Sequence, residues 1–135
     1  MADASTAKHI LAINQSEDVL QLFKYLLEDD GYRVTTRPYI DKDLDAIVRL
    51  APDLIILDYM WSEEDLGWSL LQMLRMNPGT AEIPIVLCTG AISKVEELQG
   101  HFDTMGIGVV LKPFDIATLL VAIEKALTPQ RQTVD

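Results

Sequence analysis

Three side chains of complementary chemistry each follow directly on an apolar run: Asp58 after Leu54-Ile55-Ile56-Leu57, Thr89 after Ile85-Val86-Leu87-Cys88, and Lys112 after Val109-Val110-Leu111. Taken singly, each is no more than the polar residue with which a loop begins. Taken together, they bring a carboxylate, a hydroxyl and an ammonium to the ends of three short strands. A carboxylate oxygen can attack a phosphoryl group and form an acyl phosphate. An ammonium and a hydroxyl can then hold the phosphoryl oxygens by charge-assisted hydrogen bonds. A further apolar run, Ile10-Leu11-Ala12-Ile13, ends in Asn14-Gln15 and contributes two amides at the same place.

The chain that must position these groups has 135 residues, one domain's worth. With 49% hydrophobic and 24% charged residues it can fill a single core. Eleven basic against twenty-one acidic side chains leave a net charge of −10. Such a surface repels phosphate backbones and anionic headgroups, so neither nucleic acid nor membrane is expected as a partner. No run reaches the length of a membrane span, and the N-terminus lacks the basic start and apolar stretch of a signal peptide. Cys88, the single cysteine, rules out an internal disulfide and cysteine-cluster metal sites, and fits a cytoplasmic location. The expected layout is a tail over 1–7, one domain over 8–128 and a polar tail over 129–135.

Apolar runs alternate with amphipathic stretches of helix length. Ser16 stands where a helix N-cap belongs, Glu17 and Asp18 suit the positive end of the helix dipole, and Val19, Leu22, Phe23 and Leu26 mark an apolar face before Gly31. Tyr32 to Thr36 reads as a less apolar, edge strand. Helices follow over Asp41 to Leu50, Leu66 to Met76 and Ser93 to Gly100. Asp115 caps a last helix with Ile116, Leu119, Leu120, Ile123 and Leu127 on one face. Five strands, most of them apolar along their whole length, alternate with five helices and predict a doubly wound α/β fold, a parallel sheet covered on both faces. In such folds the working site lies at the carboxyl ends of the strands.

The sequence resembles the receiver domains of two-component response regulators over about residues 8–128. The resemblance is carried by Pro52-Asp53-Leu54-Ile55-Ile56-Leu57-Asp58-Tyr59-Met60, Ile83-Pro84-Ile85-Val86-Leu87-Cys88-Thr89-Gly90 and Val110-Leu111-Lys112-Pro113-Phe114-Asp115. It implies strand order 2-1-3-4-5, Asp58 as phosphoacceptor, Thr89 as switch hydroxyl and Lys112 as the phosphate-binding lysine. It implies no enzyme activity of the domain's own. The partners it implies are a histidine kinase or phosphotransfer protein upstream and a downstream protein partner, with a homodimer left open. No second domain follows residue 128 in the sequence, which points output toward protein contacts. The implied cofactor is Mg²⁺, held by Asp58, the backbone carbonyl of Met60, and the positions of Asn14 and Gln15.

Three departures from the family pattern stand out. Asn14 and Gln15 replace an acidic pair, and neutral amides serve a hard, tightly hydrated cation poorly, so the expected Mg²⁺ site is weak or absent. The segment Met60-Trp61-Ser62-Glu63-Glu64-Asp65-Leu66-Gly67 departs from the usual loop and is one residue longer. One of its three acids can stand in for a missing ligand, or all three can form a solvated helix start. Val109 takes the place, three before the lysine, that often holds a switching aromatic. Two readings follow: a stand-alone receiver phosphorylated at Asp58 in a phosphorelay, or a phosphorylation-independent pseudo-receiver acting as an interaction module. A dehalogenase-type phosphatase would need an acid where Met60 stands, and a flavin carrier a Ser/Thr/Gly-rich loop after the first strand. Cys88 reads as a buried, inert thiol, Trp68 and Met73 as core or partner-face residues, and His9 and His101 as packing or surface residues.

Overall fold

The alternation of apolar and amphipathic stretches is realised as five strands and five helices in the computed structural model of the chain. It describes residues 7–14, 16–38, 44–58, 66–90, 92–112 and 115–128, with the backbone alone at Asp58, Leu66, Gly67, Trp68, Ile92 and Lys94. The elements are β1 (His9–Ile13), α1 (Glu17–Asp29), β2 (Arg33–Arg37), α2 (Leu44–Leu50), β3 (Leu54–Asp58), α3 (Leu66–Met76), β4 (Ile85–Thr89), α4 (Ile92–Met105), β5 (Ile107–Leu111) and α5 (Ile116–Leu127). All strand pairings are parallel, in the order β2-β1-β3-β4-β5. This is the expected flavodoxin-like receiver arrangement.

Successive strand side chains point to opposite faces, and each face has its own core. Leu11, Ile13, Ile55, Leu57, Ile85 and Leu87 pack under α2, α3 and α4, meeting Ile47, Leu71, Leu74, Val95 and Phe102. Ile10, Ala12, Leu54, Ile56, Val86, Cys88 and Val110 pack under α1 and α5, meeting Leu20, Phe23, Leu27, Leu119 and Ile123.

Helix ends follow local chemistry. Ser16 Oγ accepts from the Val19 N–H at 3.3 Å, as an N-cap should. At the other end of α1, Tyr32 N–H donates to Leu27 O at 3.1 Å and Gly31 N–H to Glu28 O at 3.0 Å. That paired pattern requires a left-handed residue, which Gly31 supplies at φ 97. Gly79 is required for space: a Cβ there would lie 2.8 Å from Val48 Cγ2.

Two sequence expectations are corrected. The helix expected over Ser93 to Gly100 runs on to Met105. Gly100 costs a helix about 1 kcal/mol, but its position is exposed and Phe102 beyond it is fully buried, so packing overrides the local preference. The apolar face expected on α1 is only partly core: Phe23 is buried with Leu20 and Leu27, Val19 packs half-buried against them, and Leu22 is 54% exposed. The apolar stripe is wider than the core contact, and its excess faces outward.

Asp115 caps α5 as expected, its carboxylate accepting from Thr118 N–H at 2.8 Å and Thr118 Oγ1–H at 2.8 Å. Those bonds, the backbone one first, hold its pKa below the ordinary carboxylate range. A depressed carboxylate stabilises the fold above its unfolded pKa and loses that contribution as pH falls through its folded value. Asp115→Asn keeps an acceptor but not the charge. Wild type is therefore expected to be the more stable in urea unfolding at neutral pH, with the advantage vanishing well below about pH 4, the ordinary Asp value.

Candidate functional site

The three positions singled out in the sequence fall on neighbouring strands at the same end of the sheet. The backbone of Asp58, last residue of β3, pairs with Cys88 of β4, and Thr89 pairs with Leu111 of β5. Beyond that pair, Lys112 N–H donates to Thr89 O at 2.8 Å. Asn14 stands one step past the Ile13–Leu57 pair, on the other side of β3. Four polar residues from four strands thus share one end of the sheet because each strand's apolar run stops at the same level. Gln15, Met60, Trp61, Glu63, Glu64 and Asp65 lie outside the described residues.

The response regulator receiver domain family matches residues 10–124 of this sequence. The chain is a receiver domain of that family. It is 33% identical over 118 residues to the DNA-binding dual master transcriptional regulator RpaA of Synechocystis, covering 87% of this chain and 48% of RpaA. An uncharacterized 14.6 kDa protein of Leptolyngbya boryana is 27% identical over 116 residues, covering 86% of this chain and 87% of that one. Among solved structures, the chemotaxis response regulator CheY4 of Vibrio cholerae superposes with a TM-score of 0.72 at 28% identity, over 90% of this chain and 99% of that one. The receiver spans about half the length of the first transcriptional regulators it matches. Receiver domains are generally signalling modules rather than enzymes, and they interact with histidine kinases or phosphotransfer proteins. No helix among the described residues is long and apolar enough to cross a membrane.

The receiver's site is partly enclosed. Thr89 is buried at 1% exposure and Asn14 at 7%, while Lys112 is half-buried. Asn14 Oδ1 accepts from the Ser16 N–H at 2.7 Å, and the Asn14 N–H donates to Arg37 O at 3.2 Å at the end of β2. Receivers generally bind Mg²⁺ in an acidic pocket. Among the described residues there is no group of three or more His, Cys, Asp or Glu able to hold a metal. The oxygen of Asn14 brings no charge and already accepts a backbone hydrogen bond.

Beside the site runs a groove of about 340 Å³ between α1 and α5, lined by Val19, Leu22, Phe23, Leu26, Ile116 and Leu119 with Lys112 at the strand ends. Sequence periodicity marks these residues as apolar helix faces without saying which of them stay outside the core; Phe23 and Leu119 are buried and Leu22 is exposed. The signal that separates them is the width of the α1 stripe, too broad for one contact.

Of the remaining candidates, Cys88, Val109, Met73 and His9 are packing residues. Cys88 is fully buried in the α1/α5 core. Val109 and Met73 are half-buried against the opposite one, and only the backbone of Trp68 is described. His101 is exposed. His9 is buried at the far end of the sheet, its Nδ1 3.1 Å from Leu50 O and its Nε2 2.7 Å from Thr35 Oγ1. A carbonyl can only accept, so Nδ1 carries a proton there. The ring ties β1 to β2 and to the end of α2, away from Asp58.

Proposed function

We propose that this receiver accepts a phosphoryl group on Asp58 from a histidine kinase or phosphotransfer protein and signals through protein contacts in the cytoplasm. Residues 8–128 are the unit that does so. The observation that supports the reading is the placement of Asp58, Thr89 and Lys112 at the ends of three adjacent strands, with Lys112 tied to Thr89 through the backbone.

In the transfer, a carboxylate oxygen of Asp58 attacks the phosphorus of a phosphohistidine. The P–O bond forms as the P–N bond breaks, and the bonding pair returns to the imidazole, which takes up a proton. The Lys112 ammonium offsets negative charge on the phosphoryl oxygens, and the Thr89 hydroxyl donates a hydrogen bond to one of them. Burial of Thr89 strengthens that bond relative to water. The groove beside Lys112 supplies an apolar surface against which the donor or the downstream protein rests.

Incubation with acetyl phosphate, with and without Mg²⁺, followed by intact mass, tests this reading. The expected result is gain of one base-labile phosphoryl group by the wild type and none by Asp58→Asn. Failure to label with small donors or any histidine kinase, with millimolar Mg²⁺ present, would sink it and leave a phosphorylation-independent interaction module. The neutral Asn14 in place of an acid is the observation that favours that second reading.

A further inference from the structure

At the junction between β1 and α1 a set of hydrogen bonds runs from β2 through Asn14 and Ser16 into the first turn of α1. It begins at β2, where Arg37 O accepts the Asn14 N–H at 3.2 Å. The buried Asn14 side chain turns forward, its Oδ1 taking the Ser16 N–H at 2.7 Å. The Ser16 hydroxyl then caps α1 by accepting from Val19 N–H at 3.3 Å, and Ser16 O accepts from Leu20 N–H at 3.0 Å. Val19 lines the groove beside Lys112, and Leu20 sits in the core beneath α1. One amide therefore fixes where α1 starts and, through its first turn, one wall of the groove.

An Asn side chain bonded to the N–H two residues on is a self-contained turn. Two carboxylates at this junction would repel each other unless a cation lay between them, whereas Asn14 carries no charge to neutralise. We infer that Asn14 is a positioning residue: its amide oxygen, and not a metal ion, fixes the β1–α1 junction and the groove wall that follows from it. It extends the reading of the site given above. Because no phosphodonor enters the experiment, its failure and a failure of phosphorylation are told apart.

Hydrogen exchange at the Ser16 and Val19 amides of the full chain, followed by NMR in EDTA and then in excess Mg²⁺, tests the inference. In the wild type, protection at both amides is expected to be the same in the two conditions. Asn14→Ala removes the acceptor and is expected to lower protection of the Ser16 amide about tenfold, the equivalent of one ordinary hydrogen bond. Asn14→Asp restores the acceptor and the protection, which a residue that merely filled space would not do. Ser16→Ala serves as a second variant, expected to release Val19 while the Ser16 amide stays protected by Asn14. A rise in wild-type protection on adding Mg²⁺, or an unchanged Ser16 amide in Asn14→Ala, overturns the inference.

Discussion

Lys112→Ala is expected to slow phosphoryl transfer to Asp58 by roughly 10²–10³-fold, the usual cost of removing one preorganised charge-stabilising group. The transferring phosphoryl group spreads negative charge over its oxygens and approaches a residue that is itself anionic. Groups supplied by the protein must help to offset that repulsion. Lys112 is the cation that β5 delivers to this end of the sheet, beside the buried Thr89. Lys112→Arg retains the charge but presents a wider, planar head, so its rate should fall between those of wild type and Lys112→Ala. Labelling rates with acetyl phosphate, read by intact mass alongside a thermal melt, separate this effect from unfolding. An unchanged rate in a folded Lys112→Ala would remove Lys112 from the site.

Arg75→Ala is expected to cost roughly 2–4 kcal/mol of stability, since hydrogen bonds to charged groups are among the more valuable ones. From the last turn of α3, Arg75 Nε donates to Met105 O at 2.7 Å, while Nη1 donates to Ile83 O at 2.8 Å and Ala81 O at 3.2 Å. One guanidinium thus joins the end of α3, the loop that enters β4 and the end of α4. Loss of water around the half-buried head lowers its pKa, though it stays charged at any neutral pH. With a typical total of about 5–15 kcal/mol, the variant would be markedly weakened. The check is urea unfolding, with a lower midpoint at unchanged slope. Arg75→Lys keeps the charge but not the fork that reaches both segments, so it should recover only part of the loss.

The contrast between those two residues shows what could be read before the fold was known. Lys112, Thr89 and Asp58 were legible because each closes an apolar run, and parallel strands of equal length bring such ends together. Strand order came from family resemblance, and the pairings agree with it. Arg75 gave no signal, because its partners are backbone carbonyls, which every residue has, at 6, 8 and 30 positions' distance. Asn14 was noticed for the acid it lacks. Its bond to Ser16 is local in sequence, an Asn side chain accepting from the N–H two residues on, but residue type alone does not say that this turn forms. The end of α4 was misplaced because Gly100 weighs against a helix locally, while the burial of Phe102 that outweighs it depends on β5 and β4 arriving beside it.

The sheet's two faces divide the molecule into compartments separated by one thickness of backbone. Leu11 and Leu57 belong to one, Ile10 and Ile56 to the other, and the helices are shared out three against two. Substitutions on opposite sides share few side-chain neighbours, so their energetic effects should add. Changes of packing in the α1/α5 layer, groove included, should accordingly leave the α2–α4 layer's own packing intact.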